Sequence, residues 1–458
     1  MNLYSMLRAK AAAGQAVRVG LIGAGKFGSM FLSQAKTTAG IHVVGVADIS
    51  PQRARASFAR VGWPEEKYAA KSMIDAVSHG TTHILDNAEA LISFDGIDVI
   101  IDATGIPGAG VQHALWCCEH GRHMVMVNVE ADVLAGPLLA KRAASAGIVY
   151  SMAYGDQPAL IAELVDWARA IGLEPIAAGK GTKYLPVYSS STPDTVWDHY
   201  GFTKEQLAAG DFNARMFNSF LDGTKSALEM AAVANATGLS VPRDGLLFPP
   251  CGVDDLASVL RPRSEGGILE SRGMVEVVSS LERDGRPVYR DLRWGVYVVF
   301  DAPTDYVQRC FSEYGVRTDS SGRYAALYRP YHLIGLELGI SVASAALRRE
   351  PTGSVREFAG DVAATAKRKL LAGEKLDGEG GYTVVGKALP ARHSLSERLL
   401  PIGLAHEATL VRDIEAGQPV RWSDVVLDEG LLGVRVRREM EAQYRADWGL
   451  ENPRMAAS

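Results

Sequence analysis

The feature that most constrains the fold is Gly23-Ala24-Gly25-Lys26-Phe27-Gly28, a G-x-G-x-x-G that closes the apolar run VRVGLIGAG and opens the helical pattern KFGSMFLSQAKTT. In such a turn the first glycine permits the tight reversal and the second lets a pyrophosphate approach the backbone. The third lets the helix pack close to the sheet. The free N–H groups and dipole of the helix start favour an anion. Asp48 lies 20 residues beyond Gly28, at the end of the second apolar run HVVGVADI, where an acidic group can hydrogen-bond a ribose hydroxyl. A glycine-rich turn without a ligand is the plain alternative, and the complete strand-helix-strand frame argues against it.

The rhythm continues. Residues 1–16 read as a short helix, and SPQRARASFARVG as a helix with Ser50 at the N-cap and Pro51 in its first turn. IDVIIDATG, HMVMVNVE and IVYSMAYG read as strands, with VQHALWCCEHG and PLLAKRAASAG as the helices between them. Strands alternating with helices predict a parallel sheet covered on both faces, an α/β Rossmann-type domain over 1–155. Beyond Gly155 the pattern changes. MVEVVSSLE and WGVYVVF, on either side of a DGRP turn, predict an antiparallel face, and RPYHLIGLELGISVASAALR a buried helix closing an α+β catalytic and dimerisation domain over 156–371. The Gly-rich stretch LLAGEKLDGEGGYTVVGKA marks a boundary near 372, followed by a small β-rich module over 372–458.

Composition narrows the class. With 48 basic and 53 acidic residues the net charge is −5, which offers no global attraction to nucleic acid or to an anionic membrane. The 4 cysteines, Cys117, Cys118, Cys251 and Cys310, have no zinc or redox spacing, so a reduced, cytoplasmic setting is expected. Cys117 and Cys118 read as packing residues. Neither an export signal nor a membrane span is expected from the apolar runs. The 47 glycines exceed the usual share of about 7% and point to turns that face ligands.

Several constellations carry possible chemistry. Asp48 opposes a 2′-phosphate and favours NAD, whereas Arg53 and Arg55 would pair with that phosphate and favour NADP. Ala103-Thr104-Gly105 would set a backbone turn against the nicotinamide half, with Asn128 and Glu130 at a similar sheet edge. Lys180 and Lys183 in AGKGTKYLP, with Ser189, Ser190, Ser191 and Thr192, supply donors for a phosphorylated or carboxylated substrate; a solvated basic loop is the alternative. Asp222 and Lys225 at i, i+3, and Lys225 and Glu229 at i, i+4, share a helix face, either as ion pairs or with Lys225 as proton donor to a developing alkoxide. Tyr328, Arg329 and His332, around Pro330, predict a second anion site at a helix start, although His332 also suits a core position. Asp254-Asp255 would serve a divalent cation or a cap. No metal motif is specific enough to name ligands.

The frame VRVGLIGAGKFG…VADISPQRARA with IDVIIDATG and VMVNVEAD resembles the homoserine dehydrogenase family over about the first 240 residues. That family's acid and lysine match Asp222 and Lys225, but its lysine after the fourth-strand Asn is replaced by Val129 and Glu130. A closer resemblance spans nearly the whole chain. NVEADVLAGPLLA, YGDQPALI, GKGTKYLP, STPDTVW, MFNSFLDGTK and GRYAALYRPYHLIGLELG look like the deoxyxylulose phosphate reductoisomerase-like proteins, and LVRDIEAGQPVRWSDVVLDEG is similar to SAF-type modules.

The resemblance implies NADPH-dependent conversion of 1-deoxy-D-xylulose 5-phosphate to 2-C-methyl-D-erythritol 4-phosphate, the entry step of a route to isoprenoids. NADH remains open as the cofactor, and a divalent cation through Asp156, Asp222 or Asp254 is a further option. A small phosphorylated substrate and a homodimer are the expected partners, without nucleic acid or membrane. The implied catalytic set is Lys180, Lys183, Asp222, Lys225, Arg329 and His332, with Gly23, Gly25, Lys26, Phe27, Gly28, Asp48, Arg53, Thr104, Gly105 and Glu130 at the cofactor. Ser189, Ser190, Ser191 and Tyr328 would hold the substrate. The alternatives are a homoserine-like or sugar-acid dehydrogenase and a non-catalytic NAD(P)-sensing protein, which would not need the lysines.

Overall fold

The computed structural model describes residues 2–209, 212–406 and 408–450. The chain divides into two compact units, one formed by the residues up to 163 with 332–356, the other by 164–331 with the residues from 357 onward.

The first unit holds a parallel sheet of strands β1 (Val17–Ile22), β2 (Ile41–Ala47), β3 (His83–Leu85), β4 (Val99–Asp102), β5 (His123–Met126) and β6 (Tyr150–Met152). Their order is β3-β2-β1-β4-β5-β6, the doubly wound dinucleotide-binding arrangement. β4 is buried along its length and β5 from its second residue onward, as a sheet covered by helices on both faces requires. The order reverses between β1 and β4, so the ligand crevice lies beyond their carboxyl ends.

Two expectations change here. The run after β5 is not a longer strand: Asn128 accepts from the Ala131 N–H at 3.0 Å and caps a helix over Val129–Ser145, so Glu130 sits in its first turn. The helix expected to close the second domain instead packs on the first. It spans Gly339–Arg348 and places Leu338, Val342, Ala343 and Ala345 in the core with Val19, Leu21 and Phe31. Its Ser341 hydroxyl accepts from the Tyr154 N–H at 2.8 Å, and the Met152 N–H donates to the Gly353 carbonyl, so the chain returns to the end of β6.

The second unit is built on a mixed sheet of β7 (Glu174–Thr182), β8 (Met274–Ser279), β9 (Val296–Asp301) and β10 (Tyr324–Arg329), in the order β10-β9-β7-β8. The two runs flanking the DGRP turn are not neighbours: β7 lies between them, parallel to β8 and antiparallel to β9. The turn closes only a local reversal, in which the Glu282 N–H donates to the Arg286 carbonyl, and the following residues cross to the other side of β7.

The helix Thr224–Thr237 is buried almost all round, as an apolar helix inside a domain must be. It packs on β8 and on a hairpin of β11 (Gly360–Ala366) and β12 (Val384–Pro390). Residue 372, where the sequence predicts a domain boundary, falls in the connection between these paired strands. That connection is itself held down, with the Leu370 N–H on Ile414 and the Leu376 N–H on Ala408. The final helix, Leu432–Asp447, is anchored by buried Arg437, which grips Asp361 of β11 at 2.6 and 3.1 Å and Glu441 at 2.8 Å. No helix among the described residues is long and apolar enough to cross a membrane.

Candidate functional site

In the first unit the glycine turn has the geometry the motif predicts. Gly23 is left-handed at φ +94°, and a Cβ there would meet the Ala103 carbonyl oxygen at 2.7 Å; at Gly28 it would meet the Gly23 oxygen at 2.5 Å. Gly25 differs. It is the N-cap of the helix Lys26–Ala35, and a Cβ on it would point into open space. The turn therefore needs two of its glycines for its own backbone, whereas Gly25 leaves open space at the helix start, compatible with the approach of a pyrophosphate that the motif predicts. Ser57 ties the next helix to the turn through a 2.6 Å bond to the Ala24 carbonyl. Lys26 and Phe27 open the helix just beyond.

Asp48 is buried, and its carboxylate is already surrounded. Oδ2 accepts from the Ala24 N–H at 2.8 Å and from Arg53 Nε at 3.2 Å, while Oδ1 accepts from the Ser50 N–H at 2.8 Å and from Arg53 Nη2 at 2.7 Å. Ser50 caps the helix Pro51–Arg60 as expected. The acid expected to repel a 2′-phosphate is thus neutralised by one of the arginines expected to attract it. About half of the Arg53 side chain stays exposed, and Arg55 is exposed on the same helix.

At the carboxyl end of β4 lies a network that sequence reasoning missed. Asp102, fully buried, accepts from the Thr104 N–H at 2.9 Å and its hydroxyl at 2.7 Å, and holds His113 Nδ1 at 2.6 Å. Asn128 donates to Thr104 Oγ1 at 3.2 Å and to the Ile106 carbonyl at 2.9 Å. The strand-end turn leading to Gly105 is thereby tied to β4 and to Asn128. The helical spacing of His113 offered no signal, because its partner comes from a strand 11 residues earlier.

In the second unit Lys180 is not on a loop. It lies within β7, buried, and its ammonium is hydrogen-bonded to the Glu229 carboxylate, the side chains being 7% and 3% exposed. Glu229, expected to pair with Lys225, pairs with Lys180. Asp222 and Lys225 do not share a helix face either. The helix Ala214–Leu221 ends at Asp222, and Gly223 at φ +92° turns the chain into Thr224–Thr237.

Asp222 Oδ1 accepts from the Thr224 N–H at 2.8 Å, and Oδ2 from Lys367 Nζ at 2.8 Å. Burial pushes the Asp222 carboxyl up, opposed first by the Lys367 charge. Lys367 also donates to the Ser191 and Gly381 carbonyls at 2.7 and 2.8 Å. Nothing near Asp222 in sequence announces this lysine, which arrives from β11 and the residues after it.

The serine cluster is turned inward. Ser189 and Ser190 donate to the Pro186 and Val187 carbonyls at 2.9 and 3.0 Å, and the Ser191 hydroxyl donates to Asn218 Oδ1 at 2.7 Å. In this arrangement the Ser189 and Ser190 protons serve the local turn and the Ser191 proton serves the helix Ala214–Leu221, so none of them can also serve a ligand. Lys183, one residue beyond β7, donates to the His199 carbonyl and lies 5.4 Å from the centre of the Tyr200 ring. Burial and then the Arg293 charge hold its ammonium below the ordinary lysine range.

Tyr328 and Arg329 lie on β10, not at a helix start, and Tyr328 packs against the core of the mixed sheet. His332 belongs to the first unit, and the helix begins only at Gly339. The expected anion site at Pro330 therefore does not form, because strand pairing with β9 continues through Arg329. Asp254 is held by Arg290 at 3.1 Å and Arg317 at 3.0 Å, and Asp255 precedes a one-turn helix. Asp156 accepts from the Gln157 N–H at 3.0 Å. No group of three metal-binding side chains occurs among the described residues.

Residues 155–338 match the family described as "Oxidoreductase DRL, catalytic domain". No curated protein matches the chain. Among solved structures, the chain is similar to myo-inositol dehydrogenase from Lactobacillus casei, at 19% identity and a TM-score of 0.27, over 40% of this chain and 50% of that one. The chain thus spans half the length of that dehydrogenase. A probable dehydrogenase from Thermotoga maritima aligns at 13% identity and a TM-score of 0.37, over 73% of this chain and 90% of that one. Scyllo-inositol dehydrogenase from Lactobacillus casei aligns at 11% and 0.33, over 62% and 73%. An oxidoreductase catalytic segment in one chain with a glycine turn shaped for a pyrophosphate is the make-up of a nicotinamide-dependent oxidoreductase.

Proposed function

We propose that the protein is an NADPH-dependent reductoisomerase of a ketose phosphate, with 1-deoxy-D-xylulose 5-phosphate as substrate and 2-C-methyl-D-erythritol 4-phosphate as product. The observation that carries this reading is the match of residues 155–338 to the DRL oxidoreductase catalytic domain. The preference for NADPH rests on the Asp48–Arg53 pair: with the acid neutralised, the exposed part of Arg53 and all of Arg55 are left to meet a 2′-phosphate.

The nicotinamide supplies the hydride that reduces the rearranged carbon skeleton. The protein must bind the phosphate, polarise the substrate oxygens and move protons. Lys180 is the donor to a substrate oxygen, and Glu229 is its partner in that buried setting. Asp222, with both oxygens engaged, acts by position. It fixes the start of the helix that carries Lys225 and Glu229, and Lys367 pairs with it. Lys225, in the first turn of that helix, is the proton donor to the developing alkoxide. Lys183 takes the phosphate.

Complementation tests the reading in cells. A strain lacking its usual reductoisomerase should grow without added isoprenoid precursor when this chain is supplied, and not when Lys180→Met is supplied in its place. Failure of the unaltered chain, expressed and folded, would oppose the assignment.

A further inference from the structure

Gly181 lies on β7 against the segment 291–295. A Cβ on it would sit 1.9 Å from the Leu292 carbonyl oxygen and 2.9 Å from the Arg293 nitrogen, and the Gly181 N–H donates to the Gly295 carbonyl at 3.0 Å. The missing side chain brings Arg293 to the end of β7, where Lys183 leaves the strand. The Arg293 charge lies within electrostatic range of Lys183, Tyr188 and Tyr200 alike, and the Lys183 ammonium sits 5.4 Å from the Tyr200 ring centre.

This region is unusual in its charge. Among the described residues neither Lys183 nor Arg293 has a carboxylate partner: Lys183 donates to a backbone carbonyl, and Arg293 lies over the Trp294 ring at 4.7 Å. Asp291 accepts from the Arg293 backbone N–H, not from its guanidinium. Asp222, which acts on Tyr200, is neutralised by Lys367. The Tyr188 and Tyr200 hydroxyls have no hydrogen-bond partner among the described residues, and burial pushes the Tyr200 phenol up to about 12, so it stays a donor. His199 packs on Tyr188 at 4.8 Å and completes the wall.

We propose that Lys183 and Arg293, with the Tyr188 and Tyr200 hydroxyls, form a dianion site that takes the phosphate monoester of the substrate. Two like charges held together without an acid are a cost in the free protein that a bound dianion removes. The site needs no serine, in keeping with the inward-turned hydroxyls of Ser189 to Ser191. It rests on the reading of the substrate as a phosphate ester and assigns Arg293 a role that its place outside every recognisable motif conceals.

The test is calorimetric titration of inorganic phosphate into the full-length, NADPH-loaded protein, with Arg293→Gln, Arg293→Lys and Lys183→Met, each checked for folding by its thermal transition. Phosphate should bind the unaltered protein, about tenfold or more weaker in Arg293→Gln and Lys183→Met, and with most of its affinity kept in Arg293→Lys. Absence of phosphate binding, or equal affinity in Arg293→Gln and the unaltered protein, would overturn the site. Phosphate binding through the pair without turnover of the ketose phosphate would leave the site standing and remove the substrate assignment. Turnover with an unchanged KM in Arg293→Gln would do the reverse.

Discussion

The two units use charge in opposite ways. In the first unit the candidate surface is backbone: a glycine turn with open space at Gly25, beside a carboxylate, Asp48, that is held by Ser50 and Arg53 close to it in sequence and by the Ala24 N–H of the turn itself. In the second unit the surface is made of side chains whose partners lie far along the chain. Lys180 reaches Glu229, and Asp222 reaches Lys367, 145 residues away. A local device can be read from a local pattern, whereas a buried ion pair closed by the fold cannot. Of the charges singled out from sequence in the AGKGTKYLP run, one is paired with a carboxylate and one is not, and only the structure separates Lys180 from Lys183.

The sharpest break of this comparison is Lys180→Met. Loss of the donor should lower turnover by about 10²–10⁴-fold with NADPH affinity unchanged, as expected for a proton-transfer group. Steady-state kinetics beside a fluorescence titration of the cofactor would show it, and normal turnover would reduce the pair to a structural one.

Next is Lys367→Met. Removing the cation leaves the Asp222 carboxylate buried and unpaired, which should cost about 3–5 kcal/mol in chemical denaturation. Adding Asp222→Asn should recover much of that loss. If the single variant is as stable as the unaltered chain, the cross-link between β11 and the helix junction carries no weight.

The glycines test the other side. Gly25→Ala should weaken NADPH about tenfold, roughly 1.4 kcal/mol, with the thermal transition unmoved, because its Cβ meets no protein atom and stands where the motif sets a pyrophosphate. Gly28→Ala should lower both, since its Cβ is driven against the Gly23 oxygen. Equal behaviour of the two variants would erase the distinction between a ligand-facing and a structural glycine.

The smallest effect concerns Asp132, buried on the helix Val129–Ser145. Burial pushes its carboxyl up to about 7 against the hydrogen bond from the Tyr150 hydroxyl, and its Oδ2 has no protein partner among the described residues. The unfolded chain would titrate near the ordinary value of about 4, so between roughly pH 4 and 7 the folded form holds the extra proton. The sign follows: this group's contribution to stability is full below about 4 and is lost as pH rises towards 7. Asp132→Asn should therefore gain on the unaltered chain across that range and hold a constant advantage above about pH 8. Denaturation curves at several pH values decide it, and a constant difference throughout would contradict the shift.

Much of the first unit was legible in the sequence. The parallel sheet follows from alternation and the glycine turn from its spacing. The helix Gly339–Arg348 was misplaced because its apolar face fits either unit, and only Ser341 on Tyr154 and the return at Gly353 tie it to β6. In the first unit Gly23 and Gly28 take the close backbone approaches that the motif requires, while the Asp48–Arg53 pair was not anticipated. No helix starts at Arg329, because β10 runs through it and the helix begins only at Gly339. Lys367 and Arg293 had no signal, as neither lies in a motif and each is delivered by a long-range approach of backbone.

The most direct test of the whole account is NADPH oxidation by the purified full-length chain with 1-deoxy-D-xylulose 5-phosphate, the product identified by mass spectrometry and NMR. The account predicts NADPH consumption matched by 2-C-methyl-D-erythritol 4-phosphate, with NADH a poorer donor and with the unphosphorylated ketose turned over far less well. Turnover of an unphosphorylated polyol or sugar acid in preference to the ketose phosphate would contradict it.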